Sequence, residues 1–103
     1  MQASVHQGDI IRIEGLKLPV LVTSKEIFNS TKQVIAVPIY LEGEAGPLHL
    51  PVVLCKSKTS GLAHCEKMRL IDLRARNWKP LDRIDMPQII EVTDAIQSIF
   101  DYV

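Results

Sequence analysis

Several features are scarce in this chain, and each scarcity excludes a class of protein. Two cysteines in 103 residues are too few for the disulfide framework of a small secreted domain. No apolar run approaches the roughly 20 residues that a membrane-spanning helix needs. The opening MQASVHQGD lacks the basic segment and following apolar stretch of a secretory signal. We therefore expect a cytoplasmic protein with no membrane partner.

The two cysteines and the three histidines show no metal-binding spacing. We expect Cys55 and Cys65 to be buried free thiols, and a bridge between them only if the protein is exported. The sequence therefore predicts neither a metal nor a cofactor.

Hydrophobic residues make up 47% of the chain and charged residues 23%, which is typical of a folded protein, and residues 1–103 fit one domain.

Net charge is also lacking, yet the charges are unevenly distributed. Eight basic and three acidic residues fall between positions 56 and 83, whereas four acids and no base follow from residue 84 onward. A locally basic stretch attracts phosphate, although such stretches are more often solvated faces.

Short strands are predicted along the first half of the chain. GDIIRIEG alternates in polarity and is followed closely by LPVLVTS, which indicates a hairpin. Residues 28–31 form a turn or a single helical turn before QVIAVPIY, a third strand. Pro38 has no N–H to donate, so it belongs near the end of that strand or at a sheet edge.

Two further extended segments follow. LHLPVVL lies between loops at residues 42–47 and 56–61, and LAHCEKMRLIDL is predicted to be one long extended segment. Because side chains alternate along a strand, three residues of that segment share one face: Leu62, His64 and Glu66.

The C-terminal segment is predicted to be an amphipathic helix. Asp85 suits the N-cap, Pro87 the first turn, and Gln88 has capping-box spacing. Apolar residues then recur at steps of three and four, at Ile89, Val92, Ile96, Ile99 and Val103. Several short strands with one such helix indicate an α+β or mainly β fold, of the small-barrel kind.

The order of these pieces resembles the MazF/PemK family of toxins across nearly the whole chain. The segments that carry the resemblance are GDIIRI, LPVLVTS, FNSTKQVIAVPI, SGLAHCEKMRLIDLRAR and the terminal helix. The resemblance implies an SH3-like barrel of antiparallel strands and a homodimer. It also implies a metal-independent endoribonuclease that cuts single-stranded RNA, leaving a 2′,3′-cyclic phosphate, and a small, partly disordered antitoxin as partner.

Three positions that carry the family's chemistry differ here. Where the family has an Arg immediately before the Pro of its second strand, this chain has Leu18, with Lys17 one position earlier. Tyr40 replaces the family's Thr or Ser two residues after the strand-end Pro. An Arg and an Asp flank the later Cys in the PemK branch, whereas His64 and Glu66 flank it here.

Cleavage of RNA by its own 2′-hydroxyl needs a base, an acid and positive charge near the phosphate. We predict that His64 and Glu66 divide the base and acid roles, because both are placed on one strand face. Tyr40 is a candidate for hydrogen bonding a phosphate or stacking on a base. The candidate RNA-binding residues are basic: Lys17, Arg69, Arg74 and Arg76.

Plainer interpretations stand beside these. His64 and Glu66 also suit a hydrogen-bonded pair on a half-exposed strand, and Arg74 and Arg76 suit surface salt bridges to Asp72 and Asp82. Trp78 is more often a core or interface residue than a base-stacking one, and His49 is predicted to be a solvent-facing strand residue.

Two other functions remain open. Loss of the family Arg and Thr favours a catalytically inactive binding module for an antitoxin peptide or RNA. CcdB-like gyrase inhibition is weaker, because the ending Phe100-Asp101-Tyr102-Val103 lacks the Trp-Gly pattern of those proteins.

Overall fold

A computed structural model describes residues 5–100. Within that range the strands are, in chain order, β1 Asp9–Ile13, β2 Val20–Val22, β3 Gln33–Tyr40, β4 His49–Val53, β5 Ser60–His64, β6 Arg69–Asp72 and β7 Trp78–Arg83. The helices are α1 Glu26–Asn29, a single turn, and α2 Met86–Ser98, and a 3-10 turn spans Cys65–Lys67. None of these helices is long and apolar enough to cross a membrane.

The strands form one antiparallel sheet in the order β4-β5-β3-β2-β1-β7, with β6 also paired to β3. The predicted β1–β2 hairpin is confirmed, with Ile10 opposite Leu21. Ala36 of β3 lies opposite Val22 of β2 and also opposite Arg69 of β6. These two strands therefore pair with opposite edges of β3, which is the centre of the sheet.

The hydrophobic core has two clusters because the central strands are buried on both faces. Ile11, Ile13 and Val34 belong to the first cluster, against which Trp78 is partly buried. Ile10 and Val37 belong to the second, which also includes buried residues of β5 and α2. Burial on both faces explains why β2 is apolar at every position, as central strands of a packed sheet are.

Helix α2 packs against the second cluster through the predicted apolar stripe. Val92 is fully buried, and Ile89 and Ile96 are partly buried there. Ile99 instead remains 39% exposed, and Val103 lies outside the described residues. The stripe is therefore confirmed over its first two turns.

The start of α2 follows the predicted cap, with one difference. Asp85 accepts the backbone N–H of Gln88 at 3.3 Å, as an N-cap residue does. The side chain of Gln88 does not return to Asp85 as a capping box requires. It donates to the carbonyl oxygen of Val53 at 3.0 Å and accepts the N–H of Val53 at 2.6 Å. Gln88 thus satisfies the backbone of edge strand β4.

The expected barrel is not closed by strand pairing among residues 5–100, although the α+β class is confirmed. The two ends of the sheet, β4 and β7, are joined by other hydrogen bonds. The N–H of Cys55 donates to the carbonyl oxygen of Arg83 at 2.8 Å. The carboxylate of Asp82 accepts the N–H groups of Lys56 at 2.7 Å and Ser57 at 2.9 Å. Hydrogen bonds between the turn after β4 and residues of β7 therefore connect the two ends of the sheet, where a closed barrel would have a strand ladder.

The prediction of one long extended segment at LAHCEKMRLIDL is wrong, because the 3-10 turn divides it into β5 and β6. Both β5 and β6 pair with β3, and the cause of the break between them lies in β3. The N–H of Ile39 donates to Pro19 on the β2 side, so the nitrogen of Pro38 faces the edge shared by β5 and β6. Since proline has no N–H, the ladder is interrupted there, as expected for Pro38 near a strand end.

Candidate functional site

A cluster of polar and aromatic side chains lies where β3, β4 and β5 meet. Tyr40 is the last residue of β3, His49 the first of β4 and His64 the last of β5. His49 and His64 are direct cross-strand partners in the β4–β5 ladder. The 3-10 turn that follows adds Glu66 and Lys67. We call these five residues the Tyr-His cluster.

Three aromatic rings of the cluster form a continuous stack. The ring centroid of His64 lies 3.8 Å from that of Tyr40, with the planes 25° apart. On its other face the centroid of His49 also lies at 3.8 Å, with the planes only 10° apart. His64 is therefore the middle layer and is 9% exposed.

His64 is held in its neutral form. Burial disfavours the imidazolium and lowers the pKa of His64; the charges of His49 and Lys67 act in the same direction, and the charge of Glu66 opposes them. Both ring nitrogens are buried without a hydrogen-bond partner in the part of the chain that the structure describes. Leaving such groups unsatisfied costs about 1–3 kcal/mol each, which stacking with two rings partly offsets.

Glu66 bonds to the outer imidazole of the stack. Its Oε2 lies 2.7 Å from Nε2 of His49, and the two side chains are 36% and 35% exposed. This hydrogen bond lowers the pKa of Glu66, so the group is a carboxylate and accepts the proton on Nε2. A carboxylate-bound imidazole at a half-exposed position is an arrangement suited to proton transfer.

Lys67 places a positive charge at the opposite end of the stack. Its Nζ donates to the hydroxyl oxygen of Tyr40 at 2.9 Å, and it lies 4.7 Å from the ring centroid. The hydrogen bond to Tyr40 raises the pKa of Lys67. A cationic donor beside a phenolic hydroxyl is a fitting contact for a phosphate group.

The structure brings together the three predicted catalytic residues, Tyr40, His64 and Glu66, but it does not place His64 and Glu66 on one strand face as predicted. Glu66 lies in the 3-10 turn and not on a strand, so it does not share a strand face with His64. It reaches His49, which is half-buried in the stack and not the solvent-facing residue predicted. The alternation of β4 gave no signal for this, because the contact depends on the register of β4 against β5.

The predicted basic residues do not form one group with the cluster. The guanidinium of Arg74 makes two hydrogen bonds to Asp72, at 2.9 and 3.1 Å, as the plainer interpretation anticipated. Arg76 lines a separate polar depression together with Glu14 and Arg74. Lys17 is exposed in the β1–β2 connection, and Arg69 is exposed on β6. These positions leave Lys67, which the sequence did not single out, as the cation in contact with Tyr40.

Both cysteines are free among the described residues. Cys65, next to His64, is fully buried, as predicted for a free thiol, and burial raises its pKa to about 11. Its side chain belongs to the second core cluster. It therefore anchors the turn and offers no thiolate to a substrate.

His49, His64 and Glu66 place two nitrogens and one carboxylate oxygen within 4.8 Å of one another, which are ligand types that Zn²⁺ accepts. Imidazole lone pairs lie in the ring plane. In two rings only 10° from parallel they run side by side and do not converge on one point. The arrangement suits a stack with a proton-transfer pair better than tetrahedral coordination.

Solved structures that are similar to this chain include MazF toxins and endoribonucleases. The structure of MazE–MazF from Deinococcus radiodurans superposes with a TM-score of 0.81 and 22% identity, covering 96% of this chain and 98% of that one. An endoribonuclease from Mycobacterial species gives 0.77 and 17%, with 97% and 94% covered. The Mycobacterium tuberculosis toxin MazF-mt6 gives 0.69 and 19%, with 91% and 98% covered. At these identities the likeness shows a common fold.

A family model described as PemK-like, MazF-like toxin of type II toxin–antitoxin system matches residues 7–100. The chain belongs to this toxin family, as its sequence pattern predicted. No curated protein sequence matches it.

Proposed function

We propose that this chain is a toxin that cleaves single-stranded RNA without a metal ion, through attack of the 2′-hydroxyl on the adjacent phosphate. One observation carries the proposal: the Tyr-His cluster combines a carboxylate-bound imidazole with a lysine-bound tyrosine at one sheet end. Proton acceptor, proton donor and positive charge are the three requirements of this reaction.

Within the predicted site, Glu66 and an imidazole of the stack handle the 2′-hydroxyl proton, and Tyr40 contacts the phosphate. The hydroxyl oxygen of Tyr40 already accepts a bond from Lys67, so its O–H is free to donate. Tyr40 therefore keeps a hydroxyl where the family has Thr or Ser, and Lys67 supplies the positive charge that Leu18 cannot.

Incubation of the purified protein with a mixed single-stranded RNA, with and without EDTA, tests the proposal. We expect cleavage in both reactions and products ending in a 2′,3′-cyclic phosphate and a 5′-hydroxyl. Glu66→Gln is expected to slow cleavage by about 10²-fold. Glu26→Gln is the matched control, because Glu26 also pairs with a histidine: its Oε1 lies 3.2 Å from Nδ1 of His6. Neither residue belongs to the Tyr-His cluster. Absence of product from the wild-type protein contradicts the proposal.

A second candidate is a binding module without catalysis. The burial of His64, whose two ring nitrogens have no contact with solvent or partner among the described residues, favours it. Under this alternative the protein retains RNA in a filter-binding measurement yet yields no cleavage product, and Glu66→Gln leaves binding unchanged.

We further propose a homodimer and a small, partly disordered antitoxin as protein partners. The structural neighbours include complexes: MazE–MazF from Deinococcus radiodurans, and a mycobacterial endoribonuclease with its cognate antitoxin. In this chain a groove of about 670 Å³ between α2 and the sheet has a mainly apolar lining that includes Met68, Ile90 and Phe100, with polar side chains such as Lys25 and Gln97 also lining it. Ile90 and Phe100 are 52% and 65% exposed. Such an apolar groove suits an extended or helical peptide.

Co-purification with the product of the neighbouring reading frame tests the antitoxin partner, and sedimentation tests the dimer. Ile90→Asp is expected to weaken the complex. Ile27→Asp is the control, because Ile27 is 86% exposed on α1 and does not line the groove. Equal effects of the two variants argue against the groove as the antitoxin site.

A further inference from the structure

The two imidazoles of the stack differ in what can reach them. His64 is enclosed between two rings, and neither of its nitrogens meets solvent or a partner among the described residues. The side chain of His49 is 35% exposed and bonds to the carboxylate of Glu66 at 2.7 Å. A proton-transfer group must reach its substrate within hydrogen-bond distance, and this condition favours His49.

We propose that His49 is the catalytic imidazole of this site, that Glu66 positions it, and that His64 is a neutral positioning residue beneath it. This assignment rests on the proposed RNA cleavage and replaces the sequence-based assignment of proton transfer to His64.

The hydrogen bond to Glu66 determines which nitrogen of His49 carries the proton. Since the carboxylate can only accept, Nε2 of the neutral ring is protonated and Nδ1 holds the free lone pair. Nδ1 makes no hydrogen bond within residues 5–100. A negative charge at Glu66 also stabilises the imidazolium that forms when Nδ1 takes a proton.

Nδ1 of His49 takes the proton of the 2′-hydroxyl while the 2′-oxygen forms a bond to phosphorus and the bond from phosphorus to the 5′-oxygen breaks. Tyr40 gives its O–H proton to the departing 5′-oxygen, and the ammonium of Lys67, 2.9 Å away, stabilises the phenolate. Water returns the proton from His49 to Tyr40 after the product leaves.

His64 keeps the ring of His49 in place. The cross-strand pairing sets the two Cβ atoms side by side, and the stack then fixes the ring plane of His49 so that Nε2 points at Glu66. A neutral aromatic ring suffices for this role, whereas a charged one would repel the imidazolium next to it.

Single-turnover cleavage of one RNA by four variants tests the assignment. His49→Ala is expected to lose about 10²-fold or more in rate, and added imidazole is expected to restore part of it. His6→Ala is the matched control, since His6 also bonds to a carboxylate, and its rate is expected to be unchanged. His64→Phe keeps a stacking ring and is expected to retain most activity, whereas His64→Ala is expected to lose more.

A wild-type rate in His49→Ala, or loss of activity in His64→Phe equal to that in His49→Ala, overturns the assignment. So does failure of imidazole to restore any activity while circular dichroism shows the fold intact. If the wild-type protein cleaves no RNA, the proposed function itself fails and the assignment with it.

A second measurement separates the two failures because it needs no RNA. Nitrogen-15 spectra of the histidine rings are expected to show His49 protonated at Nε2 in the neutral form, and Glu66→Gln is expected to shift that signal and not that of His6. An unchanged His49 signal in Glu66→Gln overturns the positioning role of Glu66 whether or not the protein cleaves RNA.

Discussion

The carboxylate of Asp82 on β7 accepts the backbone N–H of Lys56, just beyond β4, at 2.7 Å. It also accepts the N–H of Ser57 and that of Arg83, so one buried side chain satisfies three backbone donors. The sheet ends are thereby held together without a continuous strand ladder.

Replacing Asp82 is expected to destabilise the fold. Asp82→Asn puts an amide where the three N–H groups need an anion, and we expect a loss of about 2–3 kcal/mol in the free energy of unfolding. Urea denaturation measures it. The control is Asp72→Asn, which weakens an exposed ion pair with Arg74 and is expected to cost little, because solvent screens that pair. Equal costs for the two variants would show that the closure at Asp82 adds nothing.

The same carboxylate makes the free energy of unfolding depend on pH in the acidic range. Burial alone would raise the pKa of Asp82, but the three N–H donors outweigh burial and lower it from 3.8 to about 2. Because the folded-state pKa lies below the unfolded one, this stabilisation is complete above pH 3.8 and is lost as the pH falls towards 2. The shift corresponds to about 2 kcal/mol. Urea denaturation at several acidic pH values is expected to show a shallower loss of stability in Asp82→Asn, and parallel curves for the two proteins would contradict this.

Asn29 is expected to be a second polar residue on which folding depends. It is 7% exposed; its amide donates to the carbonyl oxygens of Val5 and Ser24, and its oxygen accepts the hydroxyl of Ser24. Asn29→Ala leaves these groups without partners, and we expect a loss of about 2–3 kcal/mol. Asn77→Ala, which removes one exposed bond to Glu14, is expected to cost less than about 1 kcal/mol. Thermal melts of both variants make the comparison, and a melt of Asn29→Ala at or above that of Asn77→Ala would refute it.

A side chain at Gly61 is expected to destabilise the fold. A Cβ at Gly61 on β5 would lie 2.6 Å from Cγ2 of Ile39 and 3.2 Å from the carbonyl oxygen of Tyr40. We expect Gly61→Ala to cost about 1–3 kcal/mol, because β5 must move away from β3.

The matched control for that substitution is Gly46→Ala, since no atom of residues 5–100 lies within 4 Å of a Cβ built at Gly46. It is expected to melt within a few degrees of the wild-type protein. Because His64 is carried by β5, Gly61→Ala is also expected to disturb the ring stack, seen as shifted histidine ring signals. Unchanged signals and an unchanged melt in Gly61→Ala would contradict both expectations.

Local sequence signals predicted most of the elements. The alternation at GDIIRIEG gave β1, the cap at Asp85 gave the start of α2, and its apolar period gave the face that packs on the sheet. The break between β5 and β6 was missed because its cause, Pro38, lies on a different strand. The side-chain partner of Gln88 was missed for the same reason, since Val53 is 35 residues away in the chain.

Three of the five residues of the Tyr-His cluster were named from the sequence, but the contacts between them were not predicted. Tyr40, His64 and Glu66 were named from the sequence pattern, and they do lie together. His49 and Lys67 were not, because neither residue carries a local signal that differs from that of an ordinary strand or turn residue.

By itself the sequence determined strands β1 to β4, the final helix and the toxin family, since these depend on the order and polarity of neighbouring residues. Tertiary structure decided which histidine is enclosed and which one meets a carboxylate. That choice depends on the register of β4 against β5 and on a turn imposed by a proline in β3. Contacts between residues distant in the chain arise only when particular strands pair, so no local pattern encodes them.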